Sequence, residues 1–251
     1  MWFIVAAALI GYLLGSISFA VLVARRRGVD IFKAGSGNPG ATNVIRVLGK
    51  GPGYCVFFLD FLKGFVAAHW PMFAAHFRPL AVDEYVMGKL DSPGPWSMEN
   101  LRITWLTLGE DKIMWMGIAG LVGAVAGHSF SIFLRFRGGK GVATTIGGLM
   151  AIMPLPTLCA LLVWNAVFFA SKYVSLASIL FGLSLMPFAA VFHEPRELLG
   201  LSFVLAMLIL VRHRANLKRL MEGTEHKFGR KKATEATEEQ GNKGAEGKKD
   251  H

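Results

Sequence analysis

Long apolar stretches separated by short polar segments run along the chain from residue 2 to residue 211. About 20 apolar residues in a helix suffice to cross a bilayer, so the pattern predicts an all-α integral membrane protein. The first stretch lacks the basic start of a cleavable signal peptide and is too long for its apolar core, so we expect it to be a retained span. The apolar stretches lie at 2–24, 54–77, 113–134, 141–171, 173–192 and 198–211.

The stretch 141–171 decides the number of spans, because it could form one long helix or two shorter ones. Pro154 and Pro156 lie in its middle. Proline lacks the N–H donor that a helix needs and clashes with the preceding turn. We therefore predict a break near these prolines and seven transmembrane helices in total.

The distribution of basic residues predicts the orientation of the spans. Arg25, Arg26 and Arg27 directly follow the first span, which places the N-terminus outside by the positive-inside rule. Basic residues also crowd behind the last span, so the C-terminus should be cytoplasmic. Because the two ends are predicted to lie on opposite sides of the membrane, the number of spans must be odd. Loop 78–112 carries six acidic and four basic residues, as expected for an outside loop.

The composition fits a membrane protein and leaves open what binds the excess positive charge. Charged residues make up 18% of the chain, against about 25% in a typical soluble protein. The net charge of +10 would suit nucleic acid, anionic lipid or an anionic substrate. Cys55 and Cys159 lie in apolar stretches without ligand spacing, so we expect neither a disulfide framework nor a zinc site. Residues 1–220 are predicted to form the membrane domain, with an outside insertion at 78–112, and 221–251 a disordered cytoplasmic tail.

The first candidate site is a glycine-rich segment, GSGNPGATNVIR, at 35–46. It matches G-x-G-x-x-G, but a membrane helix rather than a strand precedes it, which argues against a dinucleotide site. Glycine lets backbone N–H groups face an anion, and arginine suits phosphate. We predict anion binding, with an ordinary helix-capping turn as the alternative. The candidate contacts are Ser36, Gly37, Asn38, Gly40, Thr42, Asn43 and Arg46.

The second candidate site is the segment RFRGGKGVATT at 135–145. It is not a Walker A loop, yet a lysine between Gly139 and Gly141 at the start of a helix suits phosphate, because the ammonium and the helix N-terminus act together. The alternative is that the basic residues only orient the membrane helices. That alternative fits Arg135 and Arg137 better than Lys140, because flanking glycines serve no orienting purpose.

The third candidate site is the basic segment 212–225. His213 and Asn216 are three residues apart and would share one face of a helix, with Gly223 as a plausible C-cap. The alternative is a juxtamembrane stretch that binds anionic lipid.

Four polar residues inside or near the predicted spans are further candidates. Asp60 and Lys63 lie inside the second span, where ionisable residues are functional candidates, and we expect them to support the site structurally. Ser175 begins the sixth span and is either a phosphate contact or a helix cap. We expect His128 to pack against neighbouring helices rather than to perform chemistry.

Together the three segments resemble, in order, the motifs of the PlsY family, which are bacterial membrane glycerol-3-phosphate acyltransferases that use acyl phosphate. The matching residues are 36–43, 138–144 and 213–220, and segments 60–64 and 173–178 are similar as well. The resemblance covers most of residues 1–225. It excludes the tail and most of 78–112, which is longer than the family's usual outside loop.

The resemblance implies transfer of a fatty acyl group from acyl phosphate to the 1-hydroxyl of sn-glycerol 3-phosphate, giving lysophosphatidate and phosphate in phospholipid biosynthesis. It also implies that acyl-CoA is not the donor, that neither metal nor cofactor is needed, and that the site faces the cytoplasm from a bacterial inner membrane. The expected partners are the two substrates and membrane lipids. Nucleic acid is not expected.

The predicted site must hold two phosphates against their mutual repulsion, which cations and backbone N–H groups would reduce. The loop 35–40 is assigned to acyl phosphate and Lys140 and Arg46 to phosphate binding. The base is either His213 or the substrate's phosphate. The predicted catalytic residues are Ser36, Lys140, His213 and Asn216, and the predicted binding residues are Gly37, Asn38, Gly40, Thr42, Asn43, Arg46, Gly139, Gly141 and Ser175.

Two other functions fit parts of the pattern. An organic-phosphate transporter or channel also needs cations along a cavity and helices broken by proline. Against it, the charges cluster on one membrane face and only Asp60 and Lys63 lie within the spans. A non-catalytic membrane scaffold would leave the three motifs unexplained.

Overall fold

Helices and turns make up the chain over residues 1–76 and 109–229, the residues that the computed structural model describes. Over this part the predicted all-α architecture is confirmed. Residues 77–108, which include most of the predicted outside loop, and residues 230–251 of the predicted tail lie outside the described residues. The helices are α1 (Trp2–Ser16), α2 (Phe19–Arg25), α3 (Ala41–Leu48), α4 (Lys50–His76), α5 (Glu110–Ser129), α6 (Val142–Ile152), α7 (Pro154–Ser171), α8 (Val174–Val191), α9 (Arg196–Arg212) and α10 (Arg214–Met221).

Several of these helices are long and apolar enough to cross a bilayer. In the described part of the chain four stretches meet this condition: Trp2–Arg25, Lys50–Ala74, Pro154–Ser171 and Val174–Val191. The pair α9 and α10 would add a fifth, although it is bent by 60°. The 20 residues of α5 and the 11 residues of α6 contribute two more helices to the bundle. The helices thus agree with a multi-pass membrane protein.

The first predicted span is broken in a way that its apolar pattern does not reveal. Helix α1 ends before Ile17, and Ser18 caps α2 by accepting a hydrogen bond from the Val21 N–H at 3.4 Å. The Lys63 ammonium of α4 donates to the freed carbonyls of Gly15 and Ile17, both at 2.9 Å. A buried cation therefore replaces the helical hydrogen bonds lost at the break.

Lys63 belongs to a buried cluster that joins three helices. Its ammonium lies 2.8 Å from the Asp60 carboxylate, and Nδ1 of His128 on α5 lies 3.5 Å from the same oxygen. All three side chains are at most 8% exposed. The cluster holds α4 against the α1–α2 break and against the end of α5, which agrees with the packing expected for His128 and with a supporting role for the ion pair.

Glycines allow the helices around this cluster to approach closely. A Cβ on Gly11 would lie 2.1 Å from the Gly120 carbonyl oxygen, and one on Gly64 would lie 2.0 Å from that of Thr144. Small residues permit such contacts between membrane helices. Helix α1 accordingly packs along α5, and α4 packs along α6.

The predicted break near Pro154 is confirmed. Helix α6 ends at Ile152, the Met153 N–H donates back to Leu149 at 2.8 Å, and Pro154 opens α7. Proline is tolerated at this first helical position because the N–H that it lacks would have no partner there.

The predicted third span, 113–134, is too long at its C-terminal end. Helix α5 stops at Ser129, and Ile132–Leu134 form a single 3-10 turn. Arg135 and Phe136 then adopt left-handed backbone conformations, and Ser131 pairs with Arg137. The apolar side chains at 130–134 therefore belong to a tight loop that leads directly to the second candidate segment.

Candidate active site

Asn43 holds the first glycine-rich loop in place. It is 1% exposed, and its side-chain oxygen accepts a hydrogen bond from the Ser36 N–H at 2.8 Å. Its amide nitrogen donates to the carbonyls of Ala34 at 3.0 Å and Ile31 at 3.3 Å. The sequence predicts a substrate contact for Asn43, whereas the structure uses its amide to hold the loop.

The same loop presents polar groups at the start of α3. Ser36 is exposed, and Gly40 is the residue before the helix. The first N–H groups of a helix have no intrahelical partner, which makes this end suited to an anion. The half-buried residues here are Gly37, Asn38, Gly40 and Thr42. Arg46 lies in the last turn of α3, where the charges of Glu225 and Arg219 act on it.

Gly139 joins the first and second loops. Its N–H donates to the His128 carbonyl at 3.0 Å. A Cβ on Gly139 would lie 2.2 Å from Nε2 of His128 and 3.1 Å from the Pro39 carbonyl oxygen of the first loop. Close packing therefore requires glycine here, and the N–H of Gly139, a residue that the sequence predicts to bind substrate, has a protein partner.

Arg212, at the end of α9, fixes the second loop from the other side. Its guanidinium donates to the carbonyls of Gly138 at 3.1 Å and Gly139 at 2.7 Å, and it lies over the ring of Phe130, 5.1 Å from the centroid. The loop is thus held between α5 and α9 directly before Lys140.

Lys140 is the central cation of the site. It lies half-buried beside Gly141, the residue that precedes α6, and its ammonium donates a hydrogen bond to the side-chain oxygen of Asn216. Burial lowers the pKa of Lys140 to about 8, although the charge of Glu225 raises it. The positive charges of Arg219, Arg212 and Arg46 add to the lowering. An anion beside Lys140 would stabilise the charged ammonium in this environment.

The third segment bends between two helices instead of continuing as one. His213 ends α9 and begins α10, and both His213 and Asn216 are buried, at 3% and 8% exposed. Nδ1 of His213 lies 2.8 Å from the Ile209 carbonyl oxygen. A carbonyl only accepts, so Nδ1 carries the proton and Nε2 keeps a lone pair. Burial, together with the charge of Lys140, lowers the pKa of His213 to about 4, so the ring is neutral at pH 7.

The chain turns back after α10 through Gly223, as its predicted role of C-cap requires. Gly223 has a φ of +68°, its N–H donates to Leu220 at 3.2 Å, and the Thr224 N–H donates to Arg219 at 2.8 Å. This pair of bonds is a Schellman motif, which ends a helix and reverses the chain. The reversal carries Glu225 back towards α8 and α10.

Glu225 is the site residue that the sequence analysis missed. Its carboxylate is 8% exposed and accepts hydrogen bonds from Asn216 at 2.6 Å, Ser175 at 2.9 Å and Arg219 at 2.7 Å. Burial opposes ionisation, but these bonds outweigh it and hold the pKa of Glu225 below its ordinary value. The predicted tail, 221–251, included this residue; the Gly223 cap was the available signal that the chain returns to the bundle.

The structure brings four cations and one carboxylate together from three separate segments. Lys140, Asn216, Ser175 and Glu225 are linked by hydrogen bonds, and the charges of Arg46, Arg212 and Arg219 act on Lys140. Ser36 belongs to the loop whose Pro39 carbonyl approaches Gly139, and its side chain makes no hydrogen bond to this group in the described residues. The excess of positive charge suits phosphorylated ligands.

Comparison with known proteins gives concordant matches along the chain. Residues 5–223 match the sequence model of a family described as glycerol-3-phosphate acyltransferase. A protein of that name from Shouchella clausii is 41% identical over 236 residues, which cover 92% of this chain and 98% of the relative. One from Aquifex aeolicus is 40% identical over 217 residues, covering 86% and 95%.

Solved structures show the same likeness. The crystal structure of PlsY, an integral membrane glycerol 3-phosphate acyltransferase, in its glycerol 3-phosphate form matches with a TM-score of 0.70 and 38% identity, covering 90% of this chain and 96% of that one. Its lysophosphatidic acid form matches with a TM-score of 0.68 and covers 95% of that chain.

Proposed function

The chain belongs to the glycerol-3-phosphate acyltransferase family, an integral membrane family of phospholipid synthesis, and from this membership we propose that it transfers a fatty acyl group from acyl phosphate to the 1-hydroxyl of sn-glycerol 3-phosphate. The products are lysophosphatidate and inorganic phosphate. Support for the acceptor and the product comes from the two ligand forms in which the related PlsY was crystallised.

The observation that carries this proposal is the link between Lys140 and Asn216 inside a cluster of arginines. Lys140 is assigned to phosphate, and its partner is a neutral amide, so its positive charge is not cancelled by a direct ion pair. Arg46, Arg212 and Arg219 lie near enough to act on it. Two phosphates, each with a charge between about −1 and −2, require this surplus of positive charge to share one site.

Each substrate is assigned to a part of the site. The loop 35–40 and the start of α3 hold acyl phosphate, with Ser36 at the reacting group and Arg46 on the phosphate. His213 and Asn216 hold glycerol 3-phosphate, Ser175 supports its phosphate, and Lys140 lies between the two phosphates. The other proposed binding residues are Gly37, Asn38, Gly40, Thr42 and Gly141, whereas Gly139, whose N–H and carbonyl are both engaged, is assigned to positioning the second loop. Asn43 is assigned to positioning the loop, because its amide is engaged there.

The reaction is a direct displacement on an activated acyl group. The 1-hydroxyl oxygen of glycerol 3-phosphate bonds to the carbonyl carbon, and the bond from that carbon to the phosphate oxygen breaks, which releases inorganic phosphate. The hydroxyl proton passes either to Nε2 of His213, which has a free lone pair, or to a phosphate of the substrate. The mixed anhydride is already reactive, so no covalent acyl-enzyme is needed.

We also propose the membrane topology. The first span comprises α1 and α2, and α4 to α9 provide six more, giving seven spans with the N-terminus outside and the C-terminus in the cytoplasm. Arg25, Arg26 and Arg27 at the end of α2 support this orientation. The site then opens to the cytoplasmic side of a bacterial inner membrane, where glycerol 3-phosphate is soluble and acyl phosphate enters from the lipid.

A single assay tests the proposed activity. Purified protein in detergent, given palmitoyl phosphate and glycerol 3-phosphate, should form lysophosphatidate and release phosphate in equal amounts. Palmitoyl-CoA in place of palmitoyl phosphate should give no product. An organic-phosphate transporter or a scaffold would form no lysophosphatidate with either donor, and the Lys140→Ala protein, purified identically, controls for contaminating enzyme.

A further inference from the structure

The segment that follows α10 is fastened to the bundle at both ends. We call residues 224–229 the C-terminal strap. At its start the Schellman motif ties Thr224 to Arg219 of α10 at 2.8 Å. Near its end the Phe228 N–H donates to the Lys172 carbonyl at 2.8 Å. Glu225 lies between these two attachment points.

Side chains reinforce the second attachment. The ring of Phe228 packs edge-on against Phe168 of α7, with centroids 5.4 Å apart and planes at 73°. The ammonium of Lys227 lies 5.5 Å from the centroid of the Tyr173 ring. An edge-to-face aromatic pair and a cation over an aromatic ring are both favourable contacts. The strap is thus seated on the turn between α7 and α8.

This turn also sets the position of Ser175. Tyr173 is the residue before α8, and Ser175 is in the first turn of that helix. The strap therefore contacts the element that supplies one of Glu225's three hydrogen-bond donors, while α10 supplies the other two, Asn216 and Arg219. The two attachments therefore flank Glu225 and contact both elements that supply its hydrogen-bond donors.

We propose that Phe228 is a positioning residue of the active site, which seats the C-terminal strap on the α7–α8 turn and thereby aligns Glu225 with Asn216 and Ser175. Phe228 itself touches no reacting group. The matched family sequence model ends at residue 223, so this attachment lies beyond it. The inference rests on the proposed function, because its effect is measured on the glycerol 3-phosphate side of that reaction.

Loss of the ring has a specific expected consequence. Without it the second attachment is reduced to the Phe228 backbone hydrogen bond and the Lys227 contact, so the strap moves more on the α7–α8 turn and Glu225 spends less time against Asn216. Asn216 then loses the acceptor that orients its amide toward Lys140. The binding of glycerol 3-phosphate should weaken, whereas acyl phosphate, assigned to the loop 35–40, should bind as before.

The test measures KM for each substrate in the full-length protein. Phe228→Ala should raise KM for glycerol 3-phosphate about tenfold, and KM for palmitoyl phosphate should stay within about twofold. Phe228→Leu, which retains apolar bulk, should lie between Phe228→Ala and the wild type. His226→Ala is the matched control, because His226 is an exposed residue of the same strap, and it should behave as the wild type. KM does not depend on the amount of folded enzyme, so partial unfolding does not mimic this result.

Combining substitutions identifies the contact responsible. Phe168→Ala should also raise KM for glycerol 3-phosphate, and the double variant should raise it by less than the product of the two single effects. The inference is overturned if both Phe228 variants keep the wild-type KM, or if both substrates are affected equally. If Phe228→Ala gives no turnover, the KM of Phe228→Leu for glycerol 3-phosphate tests the inference in its place: a raised value supports it and a wild-type value overturns it. Absence of lysophosphatidate from the wild-type protein would instead refute the proposed function.

Discussion

Lys140 and Asn216, 76 positions apart in the chain, are joined by a hydrogen bond between the ammonium and the side-chain oxygen. The amide nitrogen of Asn216 donates in turn to Glu225 at 2.6 Å, which fixes which way the amide faces. A neutral partner orients the ammonium without neutralising it. The charge of Lys140 therefore remains available for a phosphate, and this arrangement defines the predictions about the site.

Replacing Lys140 by alanine should reduce acyl transfer by at least about 10²-fold, because it removes the central cation of the site. Turnover is measured in membranes in which an antibody or tag shows that the protein is still present. Lys33→Ala is the matched control, since Lys33 is 87% exposed and pairs only distantly with Asp30 at 4.0 Å. Near-normal turnover of the Lys140 variant would remove it from the proposed mechanism.

The pKa of Lys140 predicts how activity depends on pH. Burial lowers this pKa to about 8, so the free enzyme loses the ammonium charge as the pH rises through that value. We expect kcat/KM for glycerol 3-phosphate to fall above about pH 8, because kcat/KM reports on the free enzyme. Lys140→Arg keeps its charge throughout this range. The kcat/KM of the Lys140→Arg variant should therefore begin to fall at a higher pH than that of the wild type, whatever the variant's absolute rate. A wild-type kcat/KM that is constant from pH 7 to 10 would contradict the assignment.

Features set by neighbouring residues were predictable from the sequence. The length of each apolar stretch predicted most helices, and Pro154 predicted the break that lies at Met153. The ends of helices were less predictable, as α5 shows: the apolar pattern continues to 134, but the helix stops at Ser129. Ser131 donates to the Ser16 carbonyl of α1 at 2.6 Å there, and no local pattern encodes that contact.

Features set by distant contacts were not predictable. The break in the first span depends on Lys63, which is more than 40 residues away in the sequence. The sequence predicts an anion contact at Gly139, whereas the structure places His128 against this residue. Glu225 was assigned to a tail because the polar composition around it is typical of disorder, whereas its hydrogen bonds to Ser175 and Asn216 come from other elements.

Ser36→Ala tests the serine hydroxyl without disturbing the loop. Asn43 holds Ser36 through its backbone N–H, which alanine retains. If the hydroxyl contacts the reacting acyl phosphate, kcat should fall about 10²-fold while the melting temperature is unchanged. Asn43→Ala is the contrasting variant. It removes the three hydrogen bonds that the Asn43 side chain makes to the backbone, so it should lower both activity and melting temperature. An unaffected rate for Ser36→Ala would reduce Ser36 to a turn residue.

Gly139→Ala should reduce activity because it displaces the second loop, which carries Lys140. The added Cβ would lie 2.2 Å from Nε2 of His128, a buried side chain that is fixed by its contact with Asp60. The loop must shift, and Lys140 shifts with it, so activity should fall steeply. Gly200→Ala is the matched control: nothing lies within 4 Å of its Cβ position in α9, so activity should be unchanged and stability slightly higher. Equal activities of the two variants would show that the second loop tolerates movement.

The Asp60–Lys63 pair should matter more for stability than its net charge of zero suggests. Lys63→Met leaves a carboxylate that is 3% exposed without its 2.8 Å partner, and removing one member of a buried pair costs about 3–5 kcal/mol. The double variant Asp60→Asn, Lys63→Met removes both charges and should recover most of that loss. Recovery should be incomplete, because the carbonyls of Gly15 and Ile17 still lack their donor. Thermal unfolding in detergent ranks the three proteins, and equal melting temperatures for the single and double variants would show that packing, not charge, makes Lys63 important.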